Sequence, residues 1–255
     1  MTDTVIASIE SGELTSENIS FGMLRRLAGR DCGVWDQLGR GRAILGSAEQ
    51  LDQYLYSYGL MTRSQWAAVL EPLTLTPEPT QIIDYGCGQG LAIALLFDHF
   101  GTDLIDSINR VVLVEPSTTA LRRAAAVVQC YSNELEVISI NKRLEELTAE
   151  ELTSEAEVLI IHVFSNVLDI DGFDHMGLFT KMFRTKGEHC VLAVSHDRDF
   201  HGGSARFREL EKEVENPEYN EWFQLRHTSV RQFDCDNGQP AIAWLLQVEV
   251  LSGPL

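Results

Sequence analysis

The chain is poor in the residues that would give it a crosslinked, membrane-spanning or broadly nucleic-acid-binding character. Its five cysteines, Cys32, Cys87, Cys130, Cys190 and Cys235, are an odd number without a Cys-x-x-Cys pair. That argues against a disulfide framework or a zinc ribbon, and leaves reduced packing residues as the expectation. No apolar run approaches the ~20 residues that a membrane-spanning helix requires. The opening Met1-Thr-Asp-Thr lacks the basic and apolar regions of a secretion signal, so a cytoplasmic protein that avoids membranes is expected. Basic residues are also scarce, 20 Lys and Arg against 38 Asp and Glu, for a net charge of −18. A nucleic-acid binder usually presents a basic face that releases counterions from phosphates, so nucleic acid is not the expected partner. One stretch departs from this balance. Arg25, Arg26, Arg30, Arg40 and Arg42 stand against Asp31 and Asp36, and read either as a solvated helix face or as a contact for an acidic partner or a phosphate.

What is present is enough apolar residue, 44% of 255, to bury one α/β domain with an appendage. Residues 1–73 are expected to form a helical N-terminal cap, and 74–255 the main domain. Phe21, Leu24 and Leu27 recur at helical spacing after Thr15 and Ser16, read as caps. Ser47 with Gln50, and Thr62 with Gln65, read as capping boxes that open two further helices. The segment Pro72-Leu-Thr-Leu-Thr-Pro77-Glu-Pro79 breaks the pattern and reads as a linker. Beyond it, strands near 81–85, 111–115, 135–140, 157–163 and 189–195 alternate with helices near 89–100, 117–130, 148–153 and 173–185. Apolar strands separated by helices imply a parallel sheet covered on both faces. After a helix near 204–215, the runs 222–233 and 240–251 flank an Asn237-Gly238 turn, the signature of an antiparallel hairpin. The expected fold is thus α/β and doubly wound, with a mostly parallel seven-stranded sheet that ends in a hairpin.

The most informative stretch is Gln81-Ile-Ile-Asp84-Tyr-Gly86-Cys-Gly88-Gln-Gly90. A strand runs into a turn with alternating glycines, a helix follows, and a second strand ends on Glu115. Residues without Cβ let the backbone approach a ligand. The helix start suits a carboxylate or phosphate, and an acid at the end of the second strand can accept ribose hydroxyls. The spacing is not that of a dinucleotide fingerprint, because Gly-x-Gly-x-x-Gly counted from Gly86 places Leu91 at the third glycine.

The frame Asp84-x-Gly86-x-Gly88-x-Gly90 resembles motif I of class I S-adenosylmethionine-dependent methyltransferases. Val-Leu-Val-Glu115-Pro116 resembles their acidic motif II, and the terminal hairpin matches their strand order. The resemblance spans roughly residues 80–251. It implies S-adenosylmethionine, or its product S-adenosylhomocysteine, as cofactor. Gly86, Cys87 and Gly88 would line its methionine part, with Gly90 closing the motif, and Asp84 would orient the loop or receive the ammonium. Glu115 would hold the ribose, and Pro116 would pack on the adenine. Arg143 and Leu144, with Lys142, stand where the family often has an acid followed by an apolar residue. The acid is absent here, so recognition of the adenine amino group would fall to backbone or to another side chain.

The acceptor side of the site is expected at the end of the fourth strand. His162 there is a candidate general base, or else a core histidine whose backbone alone meets the cofactor. Asn166 and Asp169 either bind substrate or start the next helix. The loop His196-Asp197-Arg-Asp199-Phe-His201 could ligate a metal, but substrate contact by His196 or His201 is the preferred reading and no metal is expected. Gly202-Gly203 beside it is a turn or hinge. Tyr54 and Tyr58 share a helix face, as a lid over the cofactor or as packing residues. No Pro-Pro-aromatic motif and no Cys-Pro pair follows the fourth strand, which excludes exocyclic-amine and cytosine-C5 DNA methyltransferases. The expected enzyme moves a methyl group to O or N of a small molecule or protein side chain. A nucleic-acid methyltransferase, a non-catalytic cofactor-binding protein and an NAD-dependent oxidoreductase are the alternatives.

Overall fold

Six consecutive buried residues, Thr80–Tyr85, form strand β1, and such a run demands cover on both faces. In the computed structural model, which describes residues 3–75, 78–154, 158–170, 173–197 and 203–252 (backbone only for Gly203 and Ser204), β1 lies in the interior of a seven-stranded sheet. The other strands are β2 (Ile108–Val114), β3 (Glu136–Ile140), β4 (Leu159–Ser165), β5 (Gly187–His196), β6 (Phe223–Asp234) and β7 (Pro240–Val250). Their order is β3-β2-β1-β4-β5-β7-β6. β1 pairs in parallel with both β2 and β4, and β7 runs antiparallel to β5 and to β6. The chain therefore has the expected doubly wound, mostly parallel sheet with its terminal hairpin. Gly238 supplies the left-handed turn residue of the hairpin, at φ 72°.

Alternation along the strands sorts the core into two layers. Ile82, Leu113, Ile161 and Leu192 face one apolar cluster, and Ile83, Val112, Ile160 and Val191 face the other. Helices α1 (Thr4–Glu10), α2 (Phe21–Leu27), α3 (Ala48–Leu70), α4 (Leu91–Phe100), the short α5 (Thr102–Ile105) and α6 (Thr118–Tyr131) cover the first face. α7 (Ala149–Leu152), α8 (His175–Met182) and α9 (Gly203–Val214) cover the second. Val5, Phe21, Leu55 and Trp66 from the first 73 residues lie in the same cluster as Ile82 and Leu113. The N-terminal helices are thus part of the layer that buries the sheet.

Three local readings change. The cap of α2 is Ser20, whose side chain accepts from Met23 N, because Thr15 and Ser16 lie in a separate turn. α3 opens on the Ser47–Gln50 capping box as expected, but runs unbroken for 23 residues. Thr62 therefore sits inside the helix, its hydroxyl bonded back to the Tyr58 carbonyl at 3.2 Å. No helix starts at Asn166 or Asp169; α8 begins at His175, capped by Asp174.

Candidate functional site

The loops that leave β1, β2 and β4 meet at the C-terminal edge of the sheet. There the chain order reverses direction from β1, which is where open α/β sheets receive ligands. Gly86 and Gly88 take left-handed φ of 67° and 53°, and each is needed for a separate reason. A Cβ on Gly86 would stand 2.7 Å from Val167 Cγ2, so the loop after β4 packs directly on it. A Cβ on Gly88 would meet nothing within 4 Å, which leaves open space in front of the backbone. Gly86, Cys87 and Gly88 line a cavity of about 250 Å³ together with Glu115, Pro116, Arg143, Leu144 and Asn166. Sequence-expected cofactor residues of three separate loops, with the acceptor-side candidate Asn166 from a fourth, are thus brought to one place.

Gly90 is not among the lining residues. It caps α4 at φ 82°, and a Cβ there would lie 3.1 Å from Ala124 Cα in α6. Its expected place at the cofactor is corrected to a helix-packing role. Gly90→Ala should cost about 2 kcal/mol of stability, from backbone strain plus overpacking. Urea unfolding measures this, and an unchanged midpoint would remove the packing explanation.

Glu115 Oε2 accepts from Gly88 N at 3.1 Å and Oε1 from Ser117 N at 2.9 Å. The carboxylate ties the glycine turn to the start of α6. Burial raises its pKa, and the two N–H donors pull it back. Asp84 lies under the turn with no exposed surface. Neither of its oxygens has a hydrogen-bond partner among the described residues. Burial first, then the nearby Glu115 charge, raises its pKa well above the ordinary range. It makes no hydrogen bond to the loop, so the loop-orienting half of its expected role falls away.

His162 is corrected as a candidate base, and its other reading, a ring satisfied in the core, holds. Its side chain points to the α8 face, fully buried. Nδ1 lies 3.0 Å from the Tyr85 hydroxyl and Nε2 lies 2.9 Å from His189 Nδ1. His189 Nε2 in turn meets the Thr185 carbonyl at 2.9 Å. Both nitrogens of the candidate base are engaged in the core, and it does not line the cavity. Burial lowers the pKa of both rings, that of His189 from 6.5 to about 4. Between those values the unfolded chain binds protons that the folded rings refuse, so stability present at neutral pH is lost as pH falls through this window. Urea unfolding at about pH 7.5 and 5 is expected to show a loss of ~1–3 kcal/mol that shrinks in His189→Asn. Asp84 and Glu115, with raised pKa values, act in the opposite sense in both proteins. An equal loss in the variant would refute the assignment.

Asn166 does reach the cavity, on a left-handed backbone at φ 58°. Gln65, fully buried on α3, exchanges two hydrogen bonds with its amide, at 3.2 and 3.0 Å. Asn166 N also donates to the Val194 carbonyl at 2.8 Å. Strain of this kind persists only where surroundings over-determine it. Gln65 was invisible as a partner in sequence because it is 101 residues away. Asp169 is 5% exposed, with Oδ2 4.0 Å from the Arg42 guanidinium, and it does not line the cavity. His196 ends β5 opposite Ala241 and does not line the cavity, so its expected substrate contact is not made there. Asp199, His201 and Gly202 lie outside the described residues, and among the described residues no group of three or more metal ligands occurs.

Sequence reading missed the roof of the cavity. Gly41–Leu45 crosses above it, after a kink in which Gly39 and Arg40 take φ 55° and 58°. Ser117 Oγ donates to the Leu45 carbonyl, and Thr119 Oγ1 to that of Gly46 at 3.1 Å. Tyr54 lines the cavity, with its hydroxyl pKa pushed to about 12 by burial and then by Tyr58. Gln89 also lines it, held by the Leu51 carbonyl and Arg123.

No family model matches the sequence, and no curated protein matches it. Solved structures align with it at low identity. An S-adenosylmethionine-dependent methyltransferase from Aquifex aeolicus aligns at 13% identity and a TM-score of 0.49, over 78% of this chain and 96% of that one. An rRNA methylase from Streptococcus thermophilus aligns at 16% identity and a TM-score of 0.43, over 75% and 96%. Among the described residues no helix is long and apolar enough to cross a membrane.

Proposed function

We propose that the protein binds S-adenosylmethionine in this cavity and transfers its methyl group to O or N of an acceptor. One observation carries the reading. The open space before Gly88 and the Glu115 carboxylate lie on the wall of one cavity, and the partnerless Asp84 is buried beneath the glycine turn that lines it. A buried carboxylate without a donor is costly, and a cofactor bearing an ammonium supplies what Asp84 lacks, directly or through water. Glu115 retains lone pairs for two ribose hydroxyls after serving Gly88 and Ser117. Pro116 and Leu144 offer apolar cover for an adenine. When bound, this cofactor provides a sulfonium methyl open to displacement. The chain contributes positioning and exclusion of water by the Gly41–Leu45 roof, with Asn166 on the acceptor side. The overall acidity favours a small molecule or a protein side chain as acceptor over a nucleic acid held along an extended face.

Parallel calorimetric titrations with S-adenosylmethionine, S-adenosylhomocysteine and NAD test this. Micromolar binding of the first two is the expected outcome. Tight binding of NAD alone would sink the reading and return the oxidoreductase alternative.

A further inference from the structure

The arginine-bearing stretch folds beside the cofactor cavity and builds a second recess. Trp35 and Tyr56 line it together with Arg30 and Asp36, and the two rings are 49% and 40% exposed in a protein whose other large aromatics are mostly buried. The Arg30 and Arg25 guanidinium carbons stand 5.4 and 5.9 Å from the Tyr56 ring centre. Trp35 stacks on Tyr58 at 6.0 Å, and Tyr58 meets Tyr54 at 5.1 Å. Tyr54 is a wall of the cofactor cavity, so a row of three rings joins the recess to it.

We propose that this recess binds a nucleotide unit, with its base against Trp35 and Tyr56 and its phosphate on Arg30 and Arg25. Exposed aromatic faces beside arginines suit stacked bases and phosphates. An acidic peptide would use the arginines but gain nothing from the rings. Asp36 can accept an N–H from a base edge. The remaining charge of the protein is strongly negative, which confines a polyanion to this island and predicts a short footprint. The site stands without the cofactor reading; joined to it, it names a nucleotide, free or in a strand, as the acceptor class.

The test is fluorescence anisotropy of a labelled, mixed-sequence decaribonucleotide at about 50 mM salt, with adenosine monophosphate as competitor. Saturable binding is expected, weakening with salt at a slope of about −0.7 per phosphate held. Trp35→Ala and Arg30→Glu should each weaken it ~10-fold or more, with S-adenosylmethionine affinity and thermal midpoint unchanged. Competition by the mononucleotide assigns a free nucleotide, strand binding without competition assigns a strand, and both uphold the site. Binding of neither probe, binding that both variants leave intact, or an oligoglutamate peptide bound as tightly as the strand would overturn it. Because cofactor titration is separate, either reading can fail alone.

Discussion

Glu115→Ala is expected to weaken S-adenosylmethionine binding at least ~100-fold in calorimetric titration. The estimate follows from two hydrogen bonds from ribose hydroxyls to a carboxylate, each worth ~1.5–3 kcal/mol, or ~3 kcal/mol at the least. A second loss adds to it. Glu115 also holds Gly88 N and Ser117 N, so the variant releases the glycine turn from the start of α6 and the cofactor must bear the cost of ordering it. Glu115→Gln separates these contributions. Its amide oxygen can still accept one N–H, but its NH₂ group would face another donor, so an intermediate ~10-fold loss is expected. Affinity for S-adenosylhomocysteine should fall in parallel, since both cofactors share the ribose. An affinity within about threefold of the parent would show that the acid at the end of β2 does not hold the ribose, and the cofactor assignment would lose its anchor.

The residues that proved legible in the sequence act through the backbone or through short spacing. The strand-turn-helix around Gly86 and Gly88 is local, and Glu115 closes β2 at a distance set by one helix. Asn237-Gly238 fixes its hairpin within four residues. What could not be read depends on contacts between distant segments. Whether His162 faced ligand or core was a question of strand parity: one residue either way would have turned it toward α3 rather than α8. Its true partners, Tyr85 and His189, lie on the two neighbouring strands, and no spacing rule names them. Gly90 resembled its two companions until α6 was seen to pack on it. The roof residues Gly41–Leu45 belong to a segment with neither helical nor strand periodicity. Arg123 was more nearly within reach. It falls on the face shared by Ala120, Ala124 and Val127, all buried, and a lone arginine on an apolar helix face asks for buried acids.

Those acids make Arg123 the site of the largest expected loss of stability. Its side chain is about 1% exposed, with Nε 2.8 Å from Asp3 and one guanidinium nitrogen 2.7 Å from Asp52. The same nitrogen donates to Gln89 Oε1 at 3.0 Å. One residue therefore joins α1, α3 and α6 to the glycine turn. Removing a single partner from a buried ion cluster leaves uncompensated charge, and Arg123→Ala should cost ~3–5 kcal/mol against a total of ~5–15 kcal/mol for a typical domain. Urea unfolding should show this as a lower midpoint at unchanged slope. Arg123→Met restores volume but leaves the buried Asp3 and the half-buried Asp52 carboxylates without their counter-charge, so it should remain nearly as unstable. Combining it with Asp3→Asn and Asp52→Asn removes the stranded charges and should recover much of the loss, although Asp3 also caps α1 through Ile6 N at 3.1 Å. Recovery in the triple variant, absent in the single one, would show that the arginine serves to neutralise the two acids rather than to fill space. A single variant within about 1 kcal/mol of the parent would mean that water reaches the cluster and that the N-terminal helix is held by its apolar contacts alone.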